Sequence, residues 1–493
     1  MPASRRNPSQ AASEGHNPAA KPAAVVVGGG ISGLIAARDL AREGFEVTVL
    51  EAADAFGGCV GTHTVAGLQL DSGAESYASR SPAVPGLLEE LGLQEKIVQP
   101  NPEGAWLQLG GADLAAAAQR MPQTGLLGIP ADPRAEEIAR AIGRTGVARA
   151  SLDRLLPVAP LLRREQVSLG EVVRSRMGDA VLKRLVTPVV GGVYSADPDV
   201  LDADSVAPGL RKAMAEHGSL GAAVGAMRKA APAGSTVASL RGGMGTLTRA
   251  LTEDLAARGV HLYAGTPVTG IERTGTGFRV SAAGTAYAAA ALVVAADGPS
   301  AVDLLAPCVP ELEEYRPGPG PGVALVTLVV DKPELDAAPR GTGVLVSRDA
   351  EAVQAKALTH ATAKWQWLAD STGPGTHVLR LSYGRGLGPG QEADATALRP
   401  DGELFEAALA DASALLQVPL EKADVIGWDV VRWIGALPSA TVGHADRVAS
   451  VRAAVAEVHG LEVVGAWLAG TGLAAVTADT RYRTEHLAEA VKS

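Results

Sequence analysis

The first ordered pattern in the chain is a short, uniformly apolar run, AAVVV at residues 23–27. Such a run suits a strand covered on both faces, as in a parallel sheet. LIAARDLAREG (34–44) follows, with apolar residues at helical spacing and a stop at Gly44. EVTVLEA (46–52) then predicts a second strand, which makes a β–α–β unit. The same alternation returns at 241–272, a helix followed by a strand pair, and at 461–476, a strand running through glycines into a terminal helix. PGVALVTLVVDKPEL (321–335) opens a region expected to form a mixed sheet, and YRPGPGPG (315–322) reads as the linker that leads into it. Residues 95–210 carry long Ala-, Leu- and Arg-rich stretches and predict an all-helical insertion.

The 493 residues, 47% of them apolar, suggest two or three domains with substantial cores. A formal net charge of −10 argues against a general nucleic-acid binder, which needs clustered Lys and Arg to meet phosphates. It leaves room for an anionic substrate, because a pocket needs only two or three local cations. Cys59 and Cys308 lie far apart, which excludes a disulfide framework or a cysteine-based metal site and suits a reducing cytoplasm. No apolar run reaches the roughly 18 residues needed to span a bilayer. The polar, proline-bearing residues 1–22 read as a disordered tail rather than a signal peptide.

The chemistry begins between the first strand and helix. Gly28, Gly29, Gly30, Ile31, Ser32 and Gly33 contain G-x-G-x-x-G, with Glu51 at the end of the second strand. The glycines give a tight turn, close approach of backbone to a pyrophosphate, and tight helix–strand packing. The helix N-terminus offers unpaired N–H groups and the positive end of its dipole to the phosphates. Glu51 can accept hydrogen bonds from both ribose hydroxyls. Strand, turn, helix, strand and acid in this order point to a dinucleotide. The fingerprint alone does not choose between NAD and FAD.

The next segment does choose. Ala52 leads to Gly57, Gly58, Cys59 and Thr62, a stretch that resembles the R-x-G-G-R/K-x-x-T loop of the amine-oxidase and phytoene-desaturase superfamily of flavoproteins, with Cys59 where Arg or Lys is usual. Asp71, Gly73, Ala74, Glu75 and Ser76 resemble the superfamily's loop beside the flavin. Gly470, Thr471, Gly472 and Leu473 resemble its terminal glycine–helix unit, with Ala474 and Ala475 replacing the usual Asp. In similar proteins the residue matching Val268 meets adenine through its backbone. Thr187–Leu201, containing Gly192-Val193-Tyr194 and Asp197-Pro198, looks like the signature of the porphyrinogen oxidase family. So do SRSPAVPGLLEELGL (79–93) and RWIGALPSATVGH (432–444), which contains Trp433 and has Ala440 where Tyr is usual. Amine oxidases and carotenoid desaturases are the alternatives within the superfamily; a flavin carrier is the alternative outside enzymes.

The resemblance implies an α/β fold with α+β elements. A discontinuous Rossmann-type FAD-binding domain would occupy 23–94, 235–308 and 455–493, with a mixed-sheet substrate domain at 211–234 and 309–454 and the helical lobe at 95–210. It also implies non-covalent FAD, since no cysteine follows Cys308 to form a flavin link. The expected reaction is a six-electron oxidation of a porphyrinogen by O2. No catalytic acid or base stands out, and the Gly192 backbone is expected beside the macrocycle. An Arg that binds propionate in plant and animal members is replaced by Gly104-Ala105, so Arg80 and Arg120 become the substitute candidates. No metal is expected. Coproporphyrinogen III, with four propionates, is favoured over protoporphyrinogen IX, with two. The resemblance leaves open a monomer or homodimer, a weak contact with the inner face of the cell membrane, and a transient contact with the next haem-pathway enzyme.

Overall fold

The structure is a computed structural model that describes residues 21–111, 113–122, 125–230, 237–318, 320, 322–386, 395–435 and 440–493. The β–α–β unit forms as the residue pattern predicts: strand Ala23–Val27, helix Ile31–Arg42, strand Glu46–Leu50. These two strands sit inside a five-stranded parallel sheet, in the spatial order His261–Tyr263, Glu46–Leu50, Ala23–Val27, Ala291–Val294 and Leu461–Val463. The central strands Ala23–Val27 and Ala291–Val294 are covered on both faces, which is why they are continuously apolar. On one face lie the helices Ile31–Arg42, Ala83–Glu90, Gly245–Ala257 and Leu473–Lys492. On the other lie a three-stranded antiparallel sheet spanning Val268–Ala289 and helix Gly298–Leu305.

A seven-stranded sheet forms the second body, in the order Val425–Trp433, Val323–Asp331, Thr376–Tyr383, Ala357–His360, Gly343–Val346, Trp106–Gln108 and Ala118–Arg120. Its pairings are antiparallel except where Gly343–Val346 meets Trp106–Gln108. One face is sealed by helix Asp401–Leu416, which buries Val326, Leu328, Leu379, Leu381 and Tyr383 in a common cluster.

The helical insertion starts later than its composition suggests. Residues 106–108 and 118–120, expected in the helical lobe, are strands of the seven-stranded sheet, and the helices begin at Glu136. The lobe also runs further. Helices Leu210–His217 and Leu220–Ala230, expected in the substrate domain, share the lobe's apolar cluster. Two groups pin its turns together. Arg176 and Asp153, each almost fully buried, pair at 2.7 Å, and Asp153 also accepts from the Leu220 and Gly221 N–H groups. Pro188 lacks the N–H that residue 184 would otherwise accept from. The ladder slips just before it, over Leu182–Val186, where the Thr187 N–H reaches the Leu182 carbonyl in a π turn. No helix among the described residues is long and apolar enough to cross a membrane.

Candidate active site

Two helix N-termini converge at one end of the parallel sheet. Helix Ile31–Arg42 begins after Gly30 and helix Leu473–Lys492 after Gly472, the two helices pack together, and neither has a side-chain cap. Their first N–H groups therefore face the cleft without side-chain acceptors, which suits anionic or electron-rich groups of a ligand. Glu51 is held ready beside them: one carboxylate oxygen accepts from the Gly29 N–H at 2.5 Å and the other from the Ala53 N–H at 2.7 Å. Each oxygen keeps a further lone pair for a hydroxyl. The loop after His261–Tyr263 returns to this point, with the Thr266 N–H on the Glu51 carbonyl, and brings Val268 alongside.

The glycines here serve two different ends. A Cβ on Gly33 would lie 1.9 Å from the Gly28 carbonyl oxygen, so internal packing demands that glycine. A Cβ on Gly30 would meet nothing within 4 Å, and its φ of −67° suits any residue. Nothing in the protein requires glycine at Gly30, whereas a pyrophosphate drawn close to the backbone would. The double-glycine loop closes over the same spot, with Gly57 bridged to Gly30 and its N–H donating to the Gly29 carbonyl. This cradle fits a dinucleotide.

The third loop carries the site's electrostatics. The Ala74 N–H donates to the Cys59 carbonyl, and the Trp433 indole N–H donates to the Ser72 carbonyl at 2.8 Å. Arg380 donates to the Gly73 carbonyl and pairs with Glu75 at 2.8 Å, while Lys364 pairs with the other Glu75 oxygen. Burial pushes the Glu75 carboxyl upward, but Lys364 and Arg380 outweigh it and hold the group down at about 2. Asp71 behaves oppositely. Burial raises it to about 6 despite the N–H groups of Met244 and Gly245 and the Arg380 charge. Ser76 follows in the same loop.

The seven-stranded sheet roofs this cleft. Facing residues Val431, Leu325, Ser382 and Ala357, with Leu345 beside them, form one row across five strands. All five are only half-buried, while the alternating residues Ala324, Val326, Val344, Leu381 and Tyr383 are sealed in the core beneath the outer helix. The row is thus a face that the protein leaves incompletely covered, of the apolar kind that suits a flat organic ligand. It meets the helical lobe where Gly192 approaches Leu345, a Cβ on Gly192 falling 3.0 Å from a Leu345 methyl. It meets the third loop at Arg380 and Trp433.

Of the two arginines singled out from the sequence, Arg120 lies away from this row. Arg80 is exposed beside the third loop. Arg120, also exposed, donates to the Glu103 carbonyl and lies over Trp106, whose ring packs with the cluster on the opposite face of the sheet. Three cations that carried no sequence motif do converge nearby. Arg348, Lys356 and Arg385 line a small cavity with Gly191, Ala196 and Val346, at the ends of three adjacent strands. The available signal was positional, since each lies within two residues of a strand end. No group of His, Cys, Asp and Glu among the described residues could hold a metal ion.

The family described as flavin containing amine oxidoreductase matches residues 31–477. Coproporphyrinogen III oxidase of Propionibacterium freudenreichii subsp. freudenreichii is 30% identical, with 94% of this chain and 90% of that protein covered. The enzyme of the same name from Mycobacterium leprae is 31% identical, covering 91% of this chain and 94% of its own. A crystal structure from Exiguobacterium sp. 255-15, assigned as a protoporphyrinogen oxidase, superposes with a TM-score of 0.81 at 29% identity, over 95% of this chain and 99% of that one. Putrescine oxidase superposes with a TM-score of 0.62 over 96% of this chain and 99% of its own, but at 16% identity that likeness concerns the fold alone. With the match running through both sheets and the lobe, the chain belongs to the flavin containing amine oxidoreductase family, as a flavin-dependent oxidoreductase similar along nearly its whole length to bacterial coproporphyrinogen III oxidases.

Proposed function

We propose that the protein oxidises coproporphyrinogen III to coproporphyrin III, with O2 as acceptor, as a step in haem formation. The observation that carries this reading is the match to bacterial coproporphyrinogen III oxidases over more than nine-tenths of the chain. Six electrons and six hydrogens leave the macrocycle in three two-electron steps, and three O2 become three H2O2. The flavin, when bound, supplies the two-electron acceptor chemistry and passes the electrons to O2.

The chain's own residues bind, orient and exclude water. Gly28, Gly29, Gly30, Ile31, Ser32 and Gly33 would hold the pyrophosphate, Glu51 and Ala52 the ribose, and Val268 the adenine side. Gly57 and Gly58 would close over the phosphates. Gly73, Ala74, Glu75, Ser76 and Trp433 would flank the flavin ring, with Thr471, Gly472 and Leu473 at its far end. The half-buried row from Val431 to Leu345 would lie against the macrocycle, with the Gly192 backbone at its edge. Growing conjugation favours each later step, so placement suffices where no general base is positioned. The reading assigns the protein to the cytoplasm.

The test is aerobic turnover of coproporphyrinogen III by purified holoenzyme, followed by porphyrin fluorescence and peroxide. Three H2O2 per porphyrin, with a higher kcat/KM than for protoporphyrinogen IX, is expected. Faster turnover of protoporphyrinogen IX would move the assignment towards the Exiguobacterium relative's description. No turnover of either by a reducible holoenzyme would overturn it.

A further inference from the structure

We infer that the Ser382 hydroxyl is a substrate contact, hydrogen-bonded to the nitrogen groups at the centre of a macrocycle laid against the roof sheet; this rests on the porphyrinogen reading above. Ser382 is the middle member of the half-buried row, in register with Leu325 on one side and Ala357 on the other. Val431 pairs beyond Leu325, and Leu345 beyond Ala357. Neighbouring strands stand about 4.8 Å apart, so Leu325 and Leu345 are separated by roughly 14 Å. Only the small side chains of Ser382 and Ala357 lie between them. The row is therefore a shallow dip with apolar rims, and its one polar side chain is in the floor.

The fold makes no use of that hydroxyl. Strand alternation seals Leu381 and Tyr383 beneath the outer helix and leaves Ser382 on the opposite, half-buried face. The Ser382 backbone is fully engaged: it pairs with both neighbouring strands, and its carbonyl accepts from the Lys356 N–H at 2.8 Å. Its hydroxyl has no hydrogen-bond partner among the described residues, and the oxygen stays open to solvent rather than enclosed. The strand itself would be better served by Val, Ile or Thr, whose branched side chains suit a pleated, half-covered face.

An open hydroxyl is satisfied by water. A ligand that covers the row strips that water, and a wholly apolar one leaves the oxygen unpaired, at a cost comparable to a lost hydrogen bond. The roof therefore discriminates by where a ligand carries its polar groups. A linear polyene has none to offer there, and a short diamine leaves the flanking leucines uncovered. A porphyrinogen has apolar ring edges around four central N–H groups, which matches a row that is apolar at its rims and polar in its floor. The porphyrin product keeps two N–H donors and gains two bare ring nitrogens. A hydroxyl serves either kind, because it both accepts and donates. Ser382 can thus stay paired while hydrogens leave the ring, where a backbone carbonyl could only accept.

The test compares the wild type with Ser382→Ala and with the pair Ser382→Thr and Ser382→Val, which match in shape and differ in the hydroxyl. All are holoenzymes with matched flavin content. Binding of coproporphyrin III and of its N-methyl derivative, in which one ring nitrogen carries methyl in place of hydrogen, is read by fluorescence. KM and kcat are read with coproporphyrinogen III, and melting curves with the apoproteins. Loss of the hydroxyl in the Ala and Val variants is expected to raise Kd and KM roughly 3- to 10-fold, with a smaller effect on kcat. The Thr variant should stay near the wild type, and the preference for coproporphyrin III over its N-methyl derivative should shrink only where the hydroxyl is gone. Melting temperatures should not separate Thr from Val, since the hydroxyl holds nothing in the fold. A Val variant that binds and turns over as the Thr variant does, or that melts well below it, overturns the Ser382 contact while leaving the porphyrinogen reading in place. A wild type that neither binds the porphyrin nor oxidises the porphyrinogen overturns the functional reading and the contact with it.

Discussion

At the scale of single residues, Gly30 and Glu75 separate what the fold needs from what the ligand needs. Gly30 has an ordinary backbone conformation and open space where a side chain would go. Gly30→Val is therefore expected to fold with a melting temperature close to that of wild-type apoprotein while retaining little flavin. The ratio of flavin to protein absorbance after gel filtration, alongside the apoprotein melting curve, checks both halves. Glu75 stands for the other case, a charge the fold itself must satisfy. Its carboxyl is held at about 2 in the folded protein against 4.5 unfolded, so its stabilisation is complete above about pH 4.5 and is lost as pH falls towards 2. Glu75→Gln leaves Lys364 and Arg380 without their shared partner and is expected to cost about 3 kcal/mol at pH 7. That difference should shrink as pH falls below 4.5, which urea unfolding at pH 7 and at pH 3.5 would show.

At the scale of elements, the helical lobe depends on a buried ion pair that reaches across three turns. Asp153 serves Arg176 and the N–H groups that open helix Leu220–Ala230. Asp153→Ala strands a buried guanidinium and two donors and is expected to destabilise the protein by about 4 kcal/mol. Cleavage by a protease within 136–230 should rise before the parallel sheet melts, and Asp153→Asn, which keeps an acceptor, should be milder. This element scale also marks how far the sequence could be read. The β–α–β unit was legible because apolar runs, glycines and Glu51 are all local signals. Strands 106–108 and 118–120 were not, because three-residue strands owe their state to their partners: 106–108 pairs with Gly343–Val346, more than 200 residues away in the chain, and 118–120 pairs in turn with 106–108. The cations at 348, 356 and 385 were hidden for a related reason: strand ends that are distant in sequence bring them together. Arg120, named only as a substitute for a missing family Arg, lies over Trp106 on the other side of the sheet, a placement set by strand pairing that no local signal carries.

At the scale of the whole molecule, the cleft proposed for the flavin is assembled from the glycine loops, the roof sheet and the terminal helix, so cofactor and fold should stabilise one another. A ligand that binds only the folded state adds roughly 4 kcal/mol at a thousandfold excess over its Kd. Stripping the flavin is expected to lower the melting temperature, FAD to restore it, and FMN, which has no adenosine to fill the contacts proposed at Glu51 and the loop at Val268, to restore much less. Differential scanning fluorimetry of the stripped protein with each nucleotide makes the comparison.

The strand order of the parallel sheet also has a consequence for how the protein comes into being. Ala23–Val27 and Glu46–Leu50 are synthesised long before Leu461–Val463, which closes the edge of their sheet, and before the helix Leu473–Lys492 that follows it. In the interval the early strands exist without that edge and that helix. The nascent chain must therefore keep an apolar sheet half-built until that strand and helix emerge, and a cleft able to hold the cofactor tightly is completed only then.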